Sequence, residues 1–334
     1  MNFPSTRTGC LRRSLLLGAG ACLFALAAVA QQAYPTRPIR LIVPYPPGGN
    51  TDVVARMVAT QMSLRLGQPI VIDNKPGAST LIGTEMLAKA VPDGYTLGLI
   101  TDSHAINPMF FTKLPYDSDK DFTLVSQLVA VPLVLVVNPS LNVKTVTELI
   151  ALAKSRPGKL NYASIGDGSA HHLLMEWFNA MAGTRMAHIP YKGVAPALND
   201  LLAGQVDLMF TGTATLAQYT RSGKLVALGV ASPKREPSFP DVPTIAEQNL
   251  QRYELTTLGF AIAAPAGTPR DIVVRLNQEI AAALAVPAIR DRLESMGTVA
   301  TPSSLAEAPT LIGRAVSQWS RIIKESGVKL TPLN

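Results

Sequence analysis

Two stretches of this 334-residue chain repeat one arrangement: a short apolar strand, a glycine-containing loop and the start of a helix. The first runs from Ile39–Val43 into Tyr45-Pro46-Pro47-Gly48-Gly49-Asn50-Thr51-Asp52. The second runs from Leu160–Ala163 into Ser164-Ile165-Gly166-Asp167-Gly168-Ser169. A glycine turn that feeds a helix exposes backbone N–H groups at the positive end of the helix dipole, which makes an anion cradle. Two such cradles, far apart in sequence, predict two lobes that close on one small anionic ligand.

The rest of the chain alternates in the same way. Strand Ile39–Val43 is almost continuously apolar, as a buried parallel strand is. A helix to Leu66 follows, with Asn50 or Thr51 as its cap, then strand Ile70–Ile72, a helix capped by Ser79 or Thr80, and strand Thr96–Thr101. Strand Leu133–Val137 leads into a helix with the capping box Thr145-x-x-Glu148. A second β-α-β-α-β run has strands at 160–163, 186–189, 206–210 and 225–230 and helices at about 169–181, 195–202 and 214–219. A strand at 258–263 and helices at 269–285, 287–296 and 305–326 complete the chain. Alternation of this kind predicts an α/β class with mainly parallel sheets, which bind ligands outside the carboxyl ends of their strands.

Residues 1–30 read as a cleaved secretory signal peptide, with Arg7, Arg12 and Arg13 before an apolar run and Ala28-Val29-Ala30 at the cut. Both cysteines, Cys10 and Cys22, fall inside it. The mature chain then has no disulfide and no thiolate, which fits a bacterial periplasm. The formal charge of +7 includes those three arginines; without them 27 basic residues face 23 acidic ones. That mild bias suits anionic small molecules, and no basic patch interleaved with aromatics points to nucleic acid.

Several motifs bear on chemistry. Gly48 and Gly49 permit positive φ and close ligand approach, while Ser79 and Thr80 can cap a helix or donate to a carboxylate. Lys192 offers a point charge and Tyr191 an aromatic wall with a hydroxyl. His172 and Glu176 share a helix face at metal-ligand spacing, but no third ligand is apparent, so no metal and no cofactor is expected. The chain contains no Gly-x-Ser-x-Gly elbow and no phosphate-binding loop. A rival reading is an exported serine hydrolase using Ser169 with a histidine. A third is a ligand-responsive partner of a sensor kinase.

A series of segments then resembles the tripartite tricarboxylate transporter substrate-binding proteins, the TctC-like Bug receptors. They include Pro44-Tyr45-Pro46-Pro47-Gly48-Gly49, Asn74-Lys75-Pro76-Gly77-Ala78, Pro92-Asp93-Gly94-Tyr95-Thr96-Leu97, Leu114-Pro115-Tyr116-Asp117, His188-Ile189-Pro190-Tyr191-Lys192-Gly193 and Asp200-Leu201-Leu202-Ala203-Gly204-Gln205-Val206-Asp207. The resemblance implies a type II periplasmic-binding-protein-like fold, with lobe one at 34–132 plus 256–334 and lobe two at 133–255. It implies a monomeric periplasmic receptor, not an enzyme, that takes a small organic carboxylate and passes it to inner-membrane permease subunits. Its site residues carry over to Tyr45, Pro47, Gly48, Gly49, Asn50, Asp52, Ala78, Ser79, Thr80, Ser103 and His104 in the first lobe. In the second they are Ser164, Gly166, Ser169, His172, Tyr191, Lys192 and Asp207. Ala78-Ser79-Thr80 stands where the family often has more glycine, and Asp102 and Asp167 add acids to loops expected at the cleft.

Overall fold

Apolar runs that are buried on both sides become strands here, and amphipathic stretches become the helices that cover them. The computed structural model describes residues 34–328; the signal-peptide segment and both cysteines lie outside the described residues. In chain order the elements are β1 (Ile39–Val43), α1 (Asn50–Leu66), β2 (Ile70–Asn74), α2 (Leu81–Ala88), β3 (Thr96–Thr101), α3 (Asp102–Phe110) and β4 (Phe122–Ala130). Then come β5 (Leu133–Val137), α4 (Val146–Ser155), β6 (Asn161–Ser164), α5 (Ala170–Ala182), β7 (Ala187–Pro190), α6 (Val194–Leu202), β8 (Leu208–Gly212), α7 (Thr213–Arg221) and β9 (Val226–Val230). The chain closes with β10 (Phe260–Pro265), α8 (Arg270–Leu284), α9 (Pro287–Ser295), β11 (Val299–Ala300) and α10 (Ala308–Ser326).

The strands form two sheets, one of six strands in the order β11-β4-β10-β3-β1-β2 and one of five in the order β7-β6-β8-β5-β9. With their helices they make two α/β lobes. The expectation of mainly parallel sheets is corrected. The βαβ units β1–β2, β1–β3, β6–β7 and β6–β8 pair in parallel. The strands next to the crossings pair antiparallel: β10 with β3 and β4, β11 with β4, and β5 with β8 and β9. The chain thus enters the second sheet along β5 and returns to the first along β10, each reversed to its neighbours. β4, α3 and β11 are absent from the sequence reading.

One face of the six-stranded sheet packs Leu41, Val43 and Leu99 against Val54, Val58 and Met62 of α1 and Leu276 and Ile280 of α8. Its other face opens into a core that runs on into the second lobe, from Ile42, Ile100 and Ala261 to Trp177, Phe210 and Tyr253. Helix α10 ties this continuous core together. Its Trp319 donates to Asp102 at 3.1 Å in the first lobe, and its Glu325 accepts from Trp177 Nε1 at 2.8 Å in the second. Trp177 also stacks on Tyr253, with centroids 4.4 Å apart. Large aromatics bury about 150–250 Å² each, roughly 4–6 kcal/mol at about 25 cal/mol per Å². Among the described residues, no single helix is long and apolar enough to cross a membrane.

Candidate functional site

The loop after β1 is closed by one carboxylate. Asp52 is 2 % exposed and accepts from the Gly48 N–H at 2.9 Å, from Arg56 Nε at 2.9 Å and from Asn74 Nδ2 at 2.9 Å. Burial pushes this carboxyl up, but Arg56, Gly48 and Asn74 outweigh it and hold it down at about 2. Asp52 therefore shapes the loop, and its carboxylate is spent on the protein. Gly49 is the helix cap, rather than Asn50 or Thr51, and no side chain bonds the helix start. The first N–H groups of α1 have no intrahelical acceptor, as at every helix start. Pro47, Gly48, Gly49 and Asn50 are exposed around them.

Beside this loop lies the end of β3. Tyr45 Oη is 2.7 Å from Thr101 Oγ1 and 3.5 Å from Ser103 Oγ, so three hydroxyls from two loops form one cluster. Burial keeps the Tyr45 phenol above its usual value, and it stays neutral. His104 and Asp102 turn away from that cluster. His104 is 2 % exposed, with Nε2 2.9 Å from Ser118 O and its ring edge-on to Phe122 at 4.9 Å. It is a core histidine, which corrects its expected place in the site. Asp102 accepts from the N–H of Leu258 at 3.0 Å and Gly259 at 3.3 Å and from Trp319, so it fastens the returning crossing segment. Gly259 has φ +60°, and a Cβ there would lie 1.9 Å from Val129 O, so this position of the crossing admits only glycine.

The third element is a left-handed turn. Ala78, Ser79 and Thr80 have φ of 45°, 52° and 78°. Outside glycine such conformations cost about 1–2 kcal/mol per residue and persist where the surroundings fix them. Here Asn107 Nδ2 donates to Ser79 O at 2.9 Å, Thr80 N–H to Gly77 O at 3.0 Å and Thr84 Oγ1 to Thr80 O at 2.9 Å. Neither Ser79 nor Thr80 caps α2 through its side chain. Ala78 and Ser79 are left exposed at the helix start, while Thr80 is buried.

In the second lobe the loop after β6 carries a compact polar network. Ser164 is fully buried, with Oγ 2.6 Å from His188 Nε2 and 3.1 Å from the Gly166 N–H. Ser169 caps α5: its Oγ donates to Gly166 O at 2.7 Å and accepts from the His172 N–H at 3.3 Å. His172 Nδ1 accepts from the Gly168 N–H at 3.1 Å. The rings of His172 and His188 stack 4.0 Å apart at 6°, and Tyr162 stacks on His188 at 5.0 Å. Tyr162 in turn donates to Glu176 at 2.5 Å. Burial and the neighbouring His172 lower His188 to about 4 against the opposing pull of Asp167 and Glu176, so both rings are neutral near pH 7.

Asp167, His172 and His188 cluster closely enough to suggest a metal, but the rings do not suit one. Stacked imidazoles hold their lone pairs in two separate, parallel planes, so one ion cannot lie in the plane of both rings. Acceptance of the Gly168 N–H also leaves the proton of neutral His172 on Nε2. His188 Nδ1 lies 3.5 Å from Asp167, which gives a serine–histidine–acid order with Ser164. That serine is inaccessible and its hydroxyl is already engaged. Ser169, the nucleophile of the rival hydrolase reading, uses its hydroxyl as a cap, and no histidine side chain is bonded to it.

Three further residues need placing. Tyr191 donates to Asp200 at 2.7 Å and packs at the edge of the second lobe's core, with burial and Asp200 raising its phenol to about 12. Lys192 beside it is exposed. Asp207 accepts from the Asn161 N–H at 2.7 Å, before β8 and at the start of β6. That is the amino end of the sheet, opposite the loops after β6 and β7, and it removes Asp207 from the site. The sequence reading also missed Phe110 and His188. Phe110, at the end of α3, reaches Gly168: a Cβ there would lie 2.4 Å from its ring. This contact joins first-lobe α3 to the second-lobe loop.

The comparisons with known proteins agree on one family. A family model described as the tripartite tricarboxylate transporter family receptor matches residues 54–328. The chain is 39 % identical over 306 residues to protein BugT of Bordetella pertussis, covering 91 % of this chain and 94 % of BugT. An R. palustris protein solved with adipate is 36 % identical, with a TM-score of 0.80 over 90 % of this chain and 100 % of that one. MatC from Rhodopseudomonas palustris, solved with bound malate, is 32 % identical, with a TM-score of 0.76 over 87 % of this chain and 100 % of its own.

Proposed function

The chain belongs to the tripartite tricarboxylate transporter receptor family, and from that premise we propose that it is an exported, monomeric receptor. It captures a small dicarboxylate between its lobes, 34–132 plus 256–334 and 133–255, and hands it to an inner-membrane permease. The observation that carries this reading is the meeting of the two polar loop clusters across one contact. The α1 start, the hydroxyls of Tyr45, Thr101 and Ser103, and the exposed 77–79 turn lie in the first lobe. The loop 164–169 touches that lobe through Gly168 and Phe110.

One carboxylate of the ligand takes the N–H groups and hydroxyls of the first lobe, as helix starts favour anions. The second meets the His172/His188 side of the other lobe, with exposed Lys192 supplying charge nearby. Contacts from both lobes favour the closed form, which the permease recognises. No covalent step is involved, and the energy for uptake comes from the permease. The test is calorimetric titration of the purified protein with C4 to C6 dicarboxylates, among them malate and adipate, and with their diamides. Binding of an acid but not its diamide is expected; binding of both alike, or turnover of an ester that is lost in Ser169→Ala, would reject the reading.

A further inference from the structure

A cavity of about 350 Å³ lies at the crossing segments, and none of its lining residues belongs to the candidate ligand loops. A water's share of liquid volume is about 30 Å³, so the space exceeds that of a bound water pair many times over. Its wall draws on all the crossings: Leu133 from the first, Leu255 and Thr257 from the return, and Leu311 from α10. The sheet order sets its position. β3 and β1, which bear the candidate ligand loops, lie on one side of the β4–β10 pair, and β11, which precedes the lining residue Thr301, lies on the other.

The lining is mainly apolar and holds one unusual group. Glu236 is 8 % exposed, and its Oε1 lies 2.6 Å from Ser232 Oγ, whose single proton is also within reach of Lys234 O at 2.8 Å. Among the described residues it forms no ion pair within 4.0 Å. Lys234, the other charged lining residue, is exposed. A carboxylate so buried ordinarily has a cation or several donors. Thr301 Oγ1, also in the wall, is buried without a partner.

We propose that this rear cavity is a second small-molecule site, taking a small amphiphilic amine whose apolar body lies against Leu133, Leu255 and Leu311 and whose ammonium pairs with Glu236. An ammonium there supplies the missing counter-charge, and the apolar wall rewards a hydrocarbon body. Burial pushes the Glu236 carboxyl up in its absence, and an ammonium partner opposes that.

The test uses cyclohexylammonium chloride as probe and cyclohexanol as its neutral match, followed by two-dimensional NMR of the intact protein. Saturable shifts at Leu133, Leu255 and Leu311 are expected, with the ammonium at least tenfold tighter than the alcohol. Glu236→Gln should remove that preference, and Leu311→Trp, at the cavity wall, should abolish both. Ammonium binding that is absent, non-saturable or undiminished in Glu236→Gln would overturn the proposal. The outcome is independent of the dicarboxylate titration, since the probe and its contacts avoid the cleft loops.

Discussion

Substitution of Gly168 by alanine separates two costs that fall on different states of the protein. The first is conformational. Gly168 has φ +72°, and a left-handed alanine costs about 1–2 kcal/mol whether the lobes are together or apart. The second is steric and, on the closure proposed above, belongs to the closed form alone. The new Cβ would lie 2.4 Å from one Phe110 ring carbon and 2.5 Å from another, whereas carbon contacts settle at about 3.5–4.0 Å. The ring or the whole loop must give by about 1 Å, and overpacking of that kind costs about 1–3 kcal/mol. Free protein escapes the clash by parting the lobes, so urea melting without ligand should show the first cost only. If ligand binding requires the proposed closure, the dissociation constant should rise about 5- to 150-fold. Phe110→Ala in the same chain should return most of that loss while leaving the stability deficit in place. The double-mutant cycle for binding should thus show a coupling of at least about 1 kcal/mol. Additive effects of the two substitutions, within about 0.5 kcal/mol, would refute a closing contact between α3 and the second-lobe loop.

Four further outcomes follow from the same geometry. Asp52→Asn leaves Gly48, Arg56 and Asn74 competing for a neutral amide; loss of charged hydrogen bonds of this kind costs about 1.5–3 kcal/mol, read as a lower melting temperature with weaker binding. His188 and His171 are both lowered to about 4 from 6.5, chiefly by burial, so the unfolded chain binds more protons between those values. Stability should be full above pH 6.5 and fall by roughly 1.4 kcal/mol per pH unit for each histidine as pH drops towards 4; a urea midpoint that is flat from pH 7 to pH 5 would contradict this. His104→Phe should lower stability and leave the ligand dissociation constant within about twofold, because the ring faces Phe122 and Ser118 rather than the cleft. Ser79→Gly should relieve left-handed strain and raise stability by up to about 1 kcal/mol; destabilisation would show that the turn is not strained.

The parts of the fold that could be read in the sequence are those whose burial is local. β1 and β5 are apolar runs covered on both sides, and most of the helices end where glycine or proline says they should. The longest strand, β4, escaped because Ser126 and Gln127 interrupt its apolar pattern. Their partners come from far along the chain: Gln127 Nε2 donates to Leu258 O at 2.8 Å, and the Gln127 N–H donates to Ser303 Oγ at 2.9 Å. This mid-strand polar pair takes most of its partners from Leu258 and Ser303, more than a hundred residues away, and no window of neighbouring residues contains that information. α3 was hidden in another way. It starts directly after the last residue of β3 with no loop between them, and it carries Pro108 within.

The site divides along a similar line, between backbone and side chain. A helix start exposes N–H groups whatever residues surround it, so the two loops could be read from glycine placement. What glycine placement does not give is that Ser164, His172 and Ser169 side chains take the Gly166, Gly168 and His172 N–H groups of the second. Which way a polar side chain points depends on one or two residues of phase. Ser103 and His104 are adjacent, yet one joins the hydroxyl cluster and the other enters the core. Asp207 shows how small an error suffices. With the strand taken as 206–210 it lies within the strand, but β8 runs Leu208–Gly212. The two-residue shift leaves Asp207 before the amino end, bonded to the start of β6, and brings Thr211 to the carboxyl end instead. Ligands in parallel α/β sheets meet the carboxyl ends of strands. Once the register is known, that rule sets Asp207 at the end of the sheet away from the loops after β6 and β7, and sets His188, two residues before the β7 end, beside the loop that meets Phe110.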